Sequence, residues 1–199
     1  GAALDAGITF FDTAEIYGLR GGSETILGEV LGARRKDIFL VSKFGVAMDD
    51  DGKLKGGSAR YVASAIEASL KRLNTDWIDL YYYHRPDPTT PLEETLRALE
   101  SLIAQGKVRY IGCSNMTPAQ IAESQRIARD NGLHRYVVAQ DQYNLLSRRI
   151  ETGLIPALQA NQLALIPYFP LASGMLTGKY TAGAPIPPGS RMTHKRYAD

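Results

Sequence analysis

The sequence FFDTAEIYG, residues 10–18, indicates the end of a buried strand that continues into a loop. Phe10 and Phe11 are strand formers, Asp12 stands where the strand would emerge, and Tyr17 follows in the loop. A carboxylate and a phenol at the mouth of a strand are a candidate proton-transfer pair. Because a free tyrosine titrates at about pH 10, the pair needs a nearby cation that lowers the pKa of the phenol. The rest of the chain must therefore supply that cation.

Six strand-like runs alternate with helical patterns along the chain. Most of these runs are short and apolar with little alternation, which is typical of parallel strands that are buried on both faces. The predicted strands cover residues 7–12, 37–42, 77–83, 108–113, 136–139 and 163–167. Strand, helix and strand recurring at intervals of roughly 30 residues predict parallel pairing through crossover helices.

Helix signals lie between these strands. From Ser58 onward, apolar residues follow a stripe with the helical period. The sequence TPLE at residues 90–93 predicts a capping box with proline at the first helical position, and TPAQ at residues 117–120 repeats that start signal. Gly106 and Gly132 are the predicted stops of these two helices.

Two parallel α/β architectures fit this order of elements: a doubly wound open sheet and a closed (β/α)8 barrel. The doubly wound dinucleotide fold should show G-x-G-x-x-G after a strand, and Gly21-Gly22 lacks that spacing. We therefore predict an α/β protein with the (β/α)8 TIM barrel fold. Since a full barrel takes about 250 residues, we expect one domain over residues 1–199 with about six βα units, lacking the first strand and the C-terminal part.

Composition narrows the class of protein. The chain is 44% hydrophobic and 22% charged with a net charge of +2, which is typical of an ordinary soluble protein and does not favour a nucleic-acid partner. It contains no apolar run long enough to span a membrane, so no membrane partner is expected. The single Cys113 excludes an internal disulfide framework and favours a reducing, cytoplasmic compartment. Histidine and cysteine are too sparse for a metal-ligand cluster, and the sequence leaves the oligomeric state open.

In a barrel, the residues that carry chemistry gather at the C-terminal ends of the strands. The residues at those predicted positions are Asp12, Lys43, His84, Ser114 with Asn115, Gln140 and Tyr168. Lys43, in VSKFG, is expected to be partly desolvated and to need a counterion, for which Asp12 is the candidate. An ammonium held beside Tyr17 would favour the phenolate and lower the pKa of that tyrosine. His84, in YYYHRPD, alone would suggest a structural histidine, but beside this group it can donate to a substrate oxygen or relay a proton.

These spaced motifs together resemble the aldo-keto reductase family, over essentially the whole chain. The family's catalytic tetrad of Asp, Tyr, Lys and His matches Asp12, Tyr17, Lys43 and His84. The resemblance implies that IGCSN and VVAQDQYN hold a nicotinamide carboxamide, and that YFPLASGMLTGKY stacks on its ring and wraps the pyrophosphate. The cofactor-binding residues implied in this way are Asp12, Ser114, Asn115, Gln140, Tyr168, Phe169, Pro170, Leu171, Gly174 and Lys179. GSETILGEVL and LTGKY are similar to the bacterial branch related to potassium-channel β subunits.

The resemblance implies an oxidoreductase that transfers a hydride from NADPH to an aldehyde or ketone carbonyl, with Tyr17 as the general acid. NADPH rather than NADH comes from the family alone, because the segment that would bind the 2′-phosphate is expected to lie beyond this sequence. A rival interpretation is a nicotinamide-binding, redox-sensing regulatory subunit with little turnover, which would keep the same tetrad. A third is that these residues alone are inactive because the barrel cannot close.

Overall fold

Six strands pair in parallel and in chain order in the computed structural model, which describes residues 1–193. They are β1 (Phe10–Asp12), β2 (Phe39–Phe44), β3 (Ile78–Tyr83), β4 (Val108–Ser114), β5 (Val138–Gln142) and β6 (Ala164–Tyr168). The register places Lys43 beside Tyr82 and Ser114 beside Gln140. Residues 194–199 of the predicted domain lie outside the described residues.

Helices connect these strands and pack on one face of the sheet. Over residues 1–193 they are α1 (Ala2–Asp5), α2 (Tyr17–Leu31), α3 (Ala59–Leu73), α4 (Leu92–Ala104), α5 (Pro118–Asp130) and α6 (Leu154–Ala160), with 3-10 turns at Gly32–Asp37, Arg149–Thr152, Ala172–Thr177 and Arg191–Thr193. Residues 18–21 of α2 have non-helical backbone angles, so its regular part begins after them. Within this part of the chain no helix is both long enough and apolar enough to cross a membrane.

Of the two predicted helix start signals, the one at α5 is confirmed and the one at α4 is not. Ser58 caps α3 by accepting the backbone N–H of Tyr61, and residues 117–120 form the predicted capping box of α5. At α4 the N-cap is Pro91, which has no side chain able to cap. The carboxylate of Asp87 instead accepts the N–H of Thr90 at 2.8 Å and fixes the chain before the helix begins. The predicted capping box at residues 90–93 is therefore wrong.

Four strands, β2, β4, β5 and β6, extend further at their C-terminal ends than predicted. Lys43 and Gln140 lie inside β2 and β5, and Ser114 and Tyr168 are the last residues of β4 and β6. A parallel ladder uses only backbone groups, so polar side chains do not end it. The pleat of each strand, rather than a loop, therefore sets the direction of these side chains.

The sheet curves around its inner face. Its outer face joins the main core with the helices, whereas Val41, Leu80, Tyr82 and Val138 form a second, smaller core on the inner face. Gln140 of β5 donates a hydrogen bond to Asp12 of β1 at 2.9 Å. In a flat sheet, four strand spacings would separate those two strands by roughly 19 Å. The predicted fold class is confirmed: the sheet is about half of a barrel, a partial TIM barrel of α/β class.

Candidate active site

An open cleft of about 960 Å³ lies at the C-terminal ends of the strands. Predicted site residues that line it are Tyr17, His84, Ser114, Asn115, Gln140, Tyr168 and Phe169. Asp12 and Lys43 are not part of its lining but contact residues that are. The curvature of the sheet thus brings side chains from all six strands, or from the loops that follow them, to one place.

Lys43 holds a buried positive charge beneath the cleft. Its side chain is 0% exposed, and its ammonium forms an ion pair with the carboxylate of Asp12, as predicted. The same nitrogen donates to the carbonyl oxygen of Thr13 at 2.8 Å and lies 5.0 Å from the centroid of the Tyr17 ring. Burial lowers the pKa of Lys43, while the Asp12 carboxylate opposes that shift. The separation of 5.0 Å between the ammonium and the Tyr17 ring centroid is within cation–π distance.

Tyr17 lies at the start of α2, with its side chain at the cleft wall and 40% of the residue exposed. Its ring meets the ring of His84 edge-on, with 5.9 Å between centroids. Partial burial raises the pKa of Tyr17, and the negative charge of Asp12 and the neighbouring Tyr168 raise it further. The predicted lowering of this pKa is therefore wrong. Asp12 pairs with the Lys43 ammonium and adds a negative charge that disfavours the phenolate.

His84 follows β3 and is held by its backbone, whose N–H donates to the carbonyl oxygen of Phe44 at 2.8 Å. Burial lowers the pKa of His84 to about 4, and the positive charges of Lys43 and Arg85 act in the same direction. The imidazole is therefore neutral at neutral pH. Its Nδ1 atom is buried and has no hydrogen-bond partner among residues 1–193.

A chain of hydrogen bonds crosses the mouth of the half-barrel. The Ser114 hydroxyl donates to the carbonyl oxygen of Gln140 at 2.6 Å and accepts from the Asn115 side-chain amide at 2.9 Å. The same amide donates to the carbonyl oxygen of His84 at 3.0 Å, and Tyr168 donates its hydroxyl to Asn115 Oδ1 at 3.1 Å. The side-chain amide of Gln140 also donates to Asp12. This series of hydrogen bonds therefore extends from the Lys43–Asp12 ion pair to Tyr168 of β6.

The loop after β6 carries the other predicted cofactor residues. Phe169 lines the cleft, whereas Pro170, Leu171, Gly174 and Lys179 are not among its lining residues. Gly174 has a φ of +100°, and its N–H donates to the carbonyl oxygen of Leu171 at 2.9 Å. A Cβ at Gly174 would lie 3.1 Å from Nζ of Lys179, so the lysine folds back across the glycine. The loop thus places a positive charge beside a glycine turn.

Sequence reasoning missed a buried carboxyl close to this site. Glu15, in the segment between β1 and Tyr17, is 1% exposed, and its Oε1 accepts the Gly45 N–H at 2.7 Å and the Tyr61 hydroxyl at 3.0 Å. Burial raises the pKa of Glu15 to about 7, against the opposing effect of these two hydrogen bonds. The only sequence signal was an acidic residue between Ala14 and Ile16. Arg85, which also lines the cleft, was likewise not predicted.

The amino-acid sequence of this chain is similar to those of several known proteins. A sequence model described as Aldo/keto reductase family matches residues 1–197. A probable voltage-gated potassium channel subunit beta of Oryza sativa subsp. japonica is 40% identical over 203 residues, which cover 98% of this chain and 60% of that protein. The protein of the same name from Arabidopsis thaliana is 40% identical over 200 residues, covering 97% of this chain and 59% of its own length.

A bacterial enzyme is similar to nearly the same extent. L-glyceraldehyde 3-phosphate reductase of Escherichia coli strain K12 is 37% identical over 196 residues, which cover 96% of this chain and 56% of that protein. The chain therefore spans three-fifths or less of the length of these relatives.

Proposed function

The chain belongs to the aldo/keto reductase family, and from that membership we propose that it reduces the carbonyl group of an aldehyde or ketone with NADPH. The proposal rests chiefly on the buried Lys43–Asp12 pair, which lies beneath Tyr17 at an open cleft. His84 stands beside the same phenol. A cation, an acid and a neutral imidazole around one phenol suit proton transfer to a substrate oxygen.

The donors and acceptors of the cleft fit a nicotinamide. The hydroxyl and amide groups of Ser114, Asn115 and Gln140 match the chemistry of a carboxamide, and the ring of Tyr168 offers a flat face. The residues that we propose to hold the remainder of the cofactor are Asp12, Phe169, Pro170, Leu171, Gly174 and Lys179. When bound, NADPH supplies the hydride. The choice of NADPH over NADH follows the family and not a residue of this chain.

Tyr17 is the proposed general acid: its hydroxyl O–H bond breaks and a new O–H bond forms on the carbonyl oxygen. Its raised pKa keeps the phenol protonated at neutral pH. The pKa of an alcohol is near that of water, about 15.7, so a nascent alkoxide takes the proton without any lowering of the tyrosine pKa. The protonated phenol is the form of Tyr17 that donates a proton during reduction.

Lys43 and His84 have separate roles in this proposal. The ammonium of Lys43, within 5.0 Å of the Tyr17 ring centroid, stabilises the phenolate that proton transfer leaves behind. His84, with a pKa of about 4, is neutral and can donate an N–H hydrogen bond to the substrate oxygen without protonating it outright.

The test is Tyr17→Phe in the full-length protein, assayed with NADPH and a panel of aldehydes. Loss of a general acid should reduce kcat by about 10²- to 10⁴-fold, while the affinity for NADPH, measured by its fluorescence, stays unchanged. Tyr110→Phe is the matched control, because Tyr110 is exposed and does not line the cleft. Unchanged turnover of the Tyr17 variant would reject the reductase mechanism.

A second candidate function is a nicotinamide-binding, redox-sensing regulatory subunit. It is favoured by the two plant relatives whose names denote potassium channel β subunits. The same assay separates the candidates: tight NADPH binding with negligible turnover on every aldehyde supports the sensor, and measurable turnover that depends on Tyr17 supports the reductase.

A further inference from the structure

Glu15 joins the segment that carries Tyr17 to the end of the strand that carries Lys43. Its backbone N–H donates to the carbonyl oxygen of Lys43 at 3.1 Å, and its Oε1 accepts the N–H of Gly45 at 2.7 Å. Backbone and side chain of one residue therefore bind two residues of the strand end, one on each side of Phe44. Tyr17 follows two positions later, so this clamp limits where its phenol can lie.

A third bond ties the clamp to the helix layer. The hydroxyl of Tyr61, near the start of α3, donates to the same Oε1 atom at 3.0 Å. The carboxyl thus accepts from the residue that follows β2 and from α3 at once, while Glu15 is almost completely buried. Burying a carboxyl is unfavourable unless its partners are well placed, and an apolar residue would fill the space at lower cost. The acceptor at this position therefore serves a geometric requirement and not packing alone.

Charged and titratable groups surround the clamp on its outer side. Glu24 of α2 raises the pKa of Glu15, and Arg72 of α3 lowers it. These two residues pair with each other at 2.7 Å. The phenol of Tyr81 in β3 also senses the charge of Glu15. The hydrogen bonds to Gly45 and Tyr61 need only an acceptor oxygen, which the carboxyl offers in either protonation state.

We propose that Glu15 is a positioning residue for the reaction, which through its bonds to Gly45 and Tyr61 holds Tyr17 at its working distance from Lys43. The inference rests on the proposed reductase function. A displacement of about 1 Å from productive geometry can reduce a rate by about 10²-fold. Loss of the clamp should therefore act on kcat more than on cofactor affinity, because Ser114, Asn115 and Gln140 come from other strands.

The test compares Glu15→Ala, Glu15→Gln and Glu24→Ala in the full-length protein. We expect Glu15→Ala to lower kcat by about 10- to 100-fold with an unchanged Kd for NADPH. Glu15→Gln keeps an acceptor oxygen and should stay within about 3-fold of the natural protein, well short of that loss. Glu24→Ala is the matched control, since Glu24 is a buried carboxylate whose partners Ser42 and Arg72 lie away from the cleft. It should lower the Tm without a comparable loss of kcat.

A measurement without turnover separates this inference from the proposed function. In protein labelled with ¹³C at tyrosine rings, Glu15→Ala should shift the NMR signal of Tyr17, and Glu24→Ala should not. If the natural protein reduces no aldehyde, the reductase proposal fails. The NMR comparison of Glu15→Ala with Glu24→Ala still tests whether Glu15 positions Tyr17. If Glu15→Ala does not fold, Tyr61→Phe takes its place, with an expected decrease in kcat of about 3- to 10-fold or a shifted Tyr17 signal.

Three results would overturn the clamp. One is an unmoved Tyr17 signal with natural kcat in Glu15→Ala, or in Tyr61→Phe where that variant is the one that folds. Another is a loss in Glu15→Gln as large as in Glu15→Ala. The third is an equal loss of kcat, or an equal shift of the Tyr17 signal, in Glu24→Ala.

Discussion

The two members of the Lys43–Asp12 pair should contribute unequally to stability, because only one of them is fully buried. The Lys43 side chain is 0% exposed and that of Asp12 is 30% exposed. Asp12→Ala leaves a buried ammonium whose remaining bond is to the Thr13 carbonyl oxygen. Lys43→Met leaves a carboxylate that still accepts from Gln140 and still contacts solvent. We therefore expect Asp12→Ala to be the more destabilising change.

The magnitudes follow from what each variant leaves unpaired. An uncompensated buried charge costs about 3–5 kcal/mol. Lys43 can escape this penalty by releasing its proton, which at pH 7 costs at most about 4.6 kcal/mol from a reference pKa of about 10.4. Lys43→Met deprives the buried Thr13 carbonyl of its donor, which costs about 1–3 kcal/mol, and relieves the desolvation of the ammonium. The difference between the two variants should therefore reach about 2 kcal/mol.

The pH dependence of the free energy of unfolding shows whether the unpaired Lys43 causes the loss of stability in Asp12→Ala. In Asp12→Ala, burial without the Asp12 carboxylate lowers the pKa of Lys43 further. The folded state then binds fewer protons than the unfolded state, so unfolding takes up protons. The free energy of unfolding should then rise with pH, by up to about 1.4 kcal/mol per pH unit below the unfolded pKa. Lys43→Met and the double variant lack this residue and should lack that slope.

The assay is urea unfolding followed by circular dichroism at pH 7, 8 and 9. The double variant Asp12→Ala/Lys43→Met should be more stable at pH 7 than Asp12→Ala, because it no longer buries a Lys43 side chain without its counterion. Arg97→Met is the control, since its ion pair with Glu93 is exposed and is worth about 0.5 kcal/mol or less. Equal losses in the two single variants, or no pH slope in Asp12→Ala, would refute the asymmetry.

Two further predictions concern pH. Because the pKa of His84 is about 4, its ¹³C-NMR signal should stay that of a neutral ring from pH 8 down to pH 5; a midpoint above pH 6 would contradict its burial. Burial raises the pKa of Asp87, but hydrogen bonds from Thr89, Gly57 and Thr90 outweigh that effect and hold the pKa well below its usual range. Asp87 therefore stabilises the fold above about pH 4, an effect lost as pH falls further. Asp87→Ala should cost about 1.5–3 kcal/mol at pH 7 by urea unfolding and less at pH 3, whereas an equal loss at both would exclude the carboxylate as the cause.

The sequence predicted the presence of the six strands because their signal is local. The predicted burial is wrong for β1 and β6, the two edge strands of the sheet, whose residues are half-buried or exposed. Short apolar runs such as the one before Lys43 indicate buried parallel strands without knowledge of their neighbours. It also predicted the Lys43–Asp12 pair, since a lysine within an apolar strand needs a counterion and few acids stood at strand ends. The closure of the sheet was different. The bond from Gln140 to Asp12 joins residues 128 positions apart, and no local pattern reports such curvature.

Each error concerns a property that depends on distances and hydrogen-bond partners in the folded structure. The pKa of Tyr17 depends on the balance between the charge of Lys43, the charge of Asp12 and burial, and this balance is set by distances that a sequence does not contain. The capping box before α4 matched a motif, but Asp87 supplied competing hydrogen bonds to the same turn. Glu15 was missed because its partners, Gly45 and Tyr61, lie 30 and 46 residues away.

The polar residues at the top of the inner face do not follow from packing. One layer below, Val41, Leu80 and Val138 fill the same curved surface with apolar side chains. Continuing that layer upward would avoid the desolvation that Lys43 and its carboxylate partner undergo. A fold selected for stability alone has no need of a buried ammonium, because burial disfavours the charged form and lowers the pKa of Lys43. The departure from packing rules lies where the cleft opens, and this is where a proton donor for a carbonyl would be required.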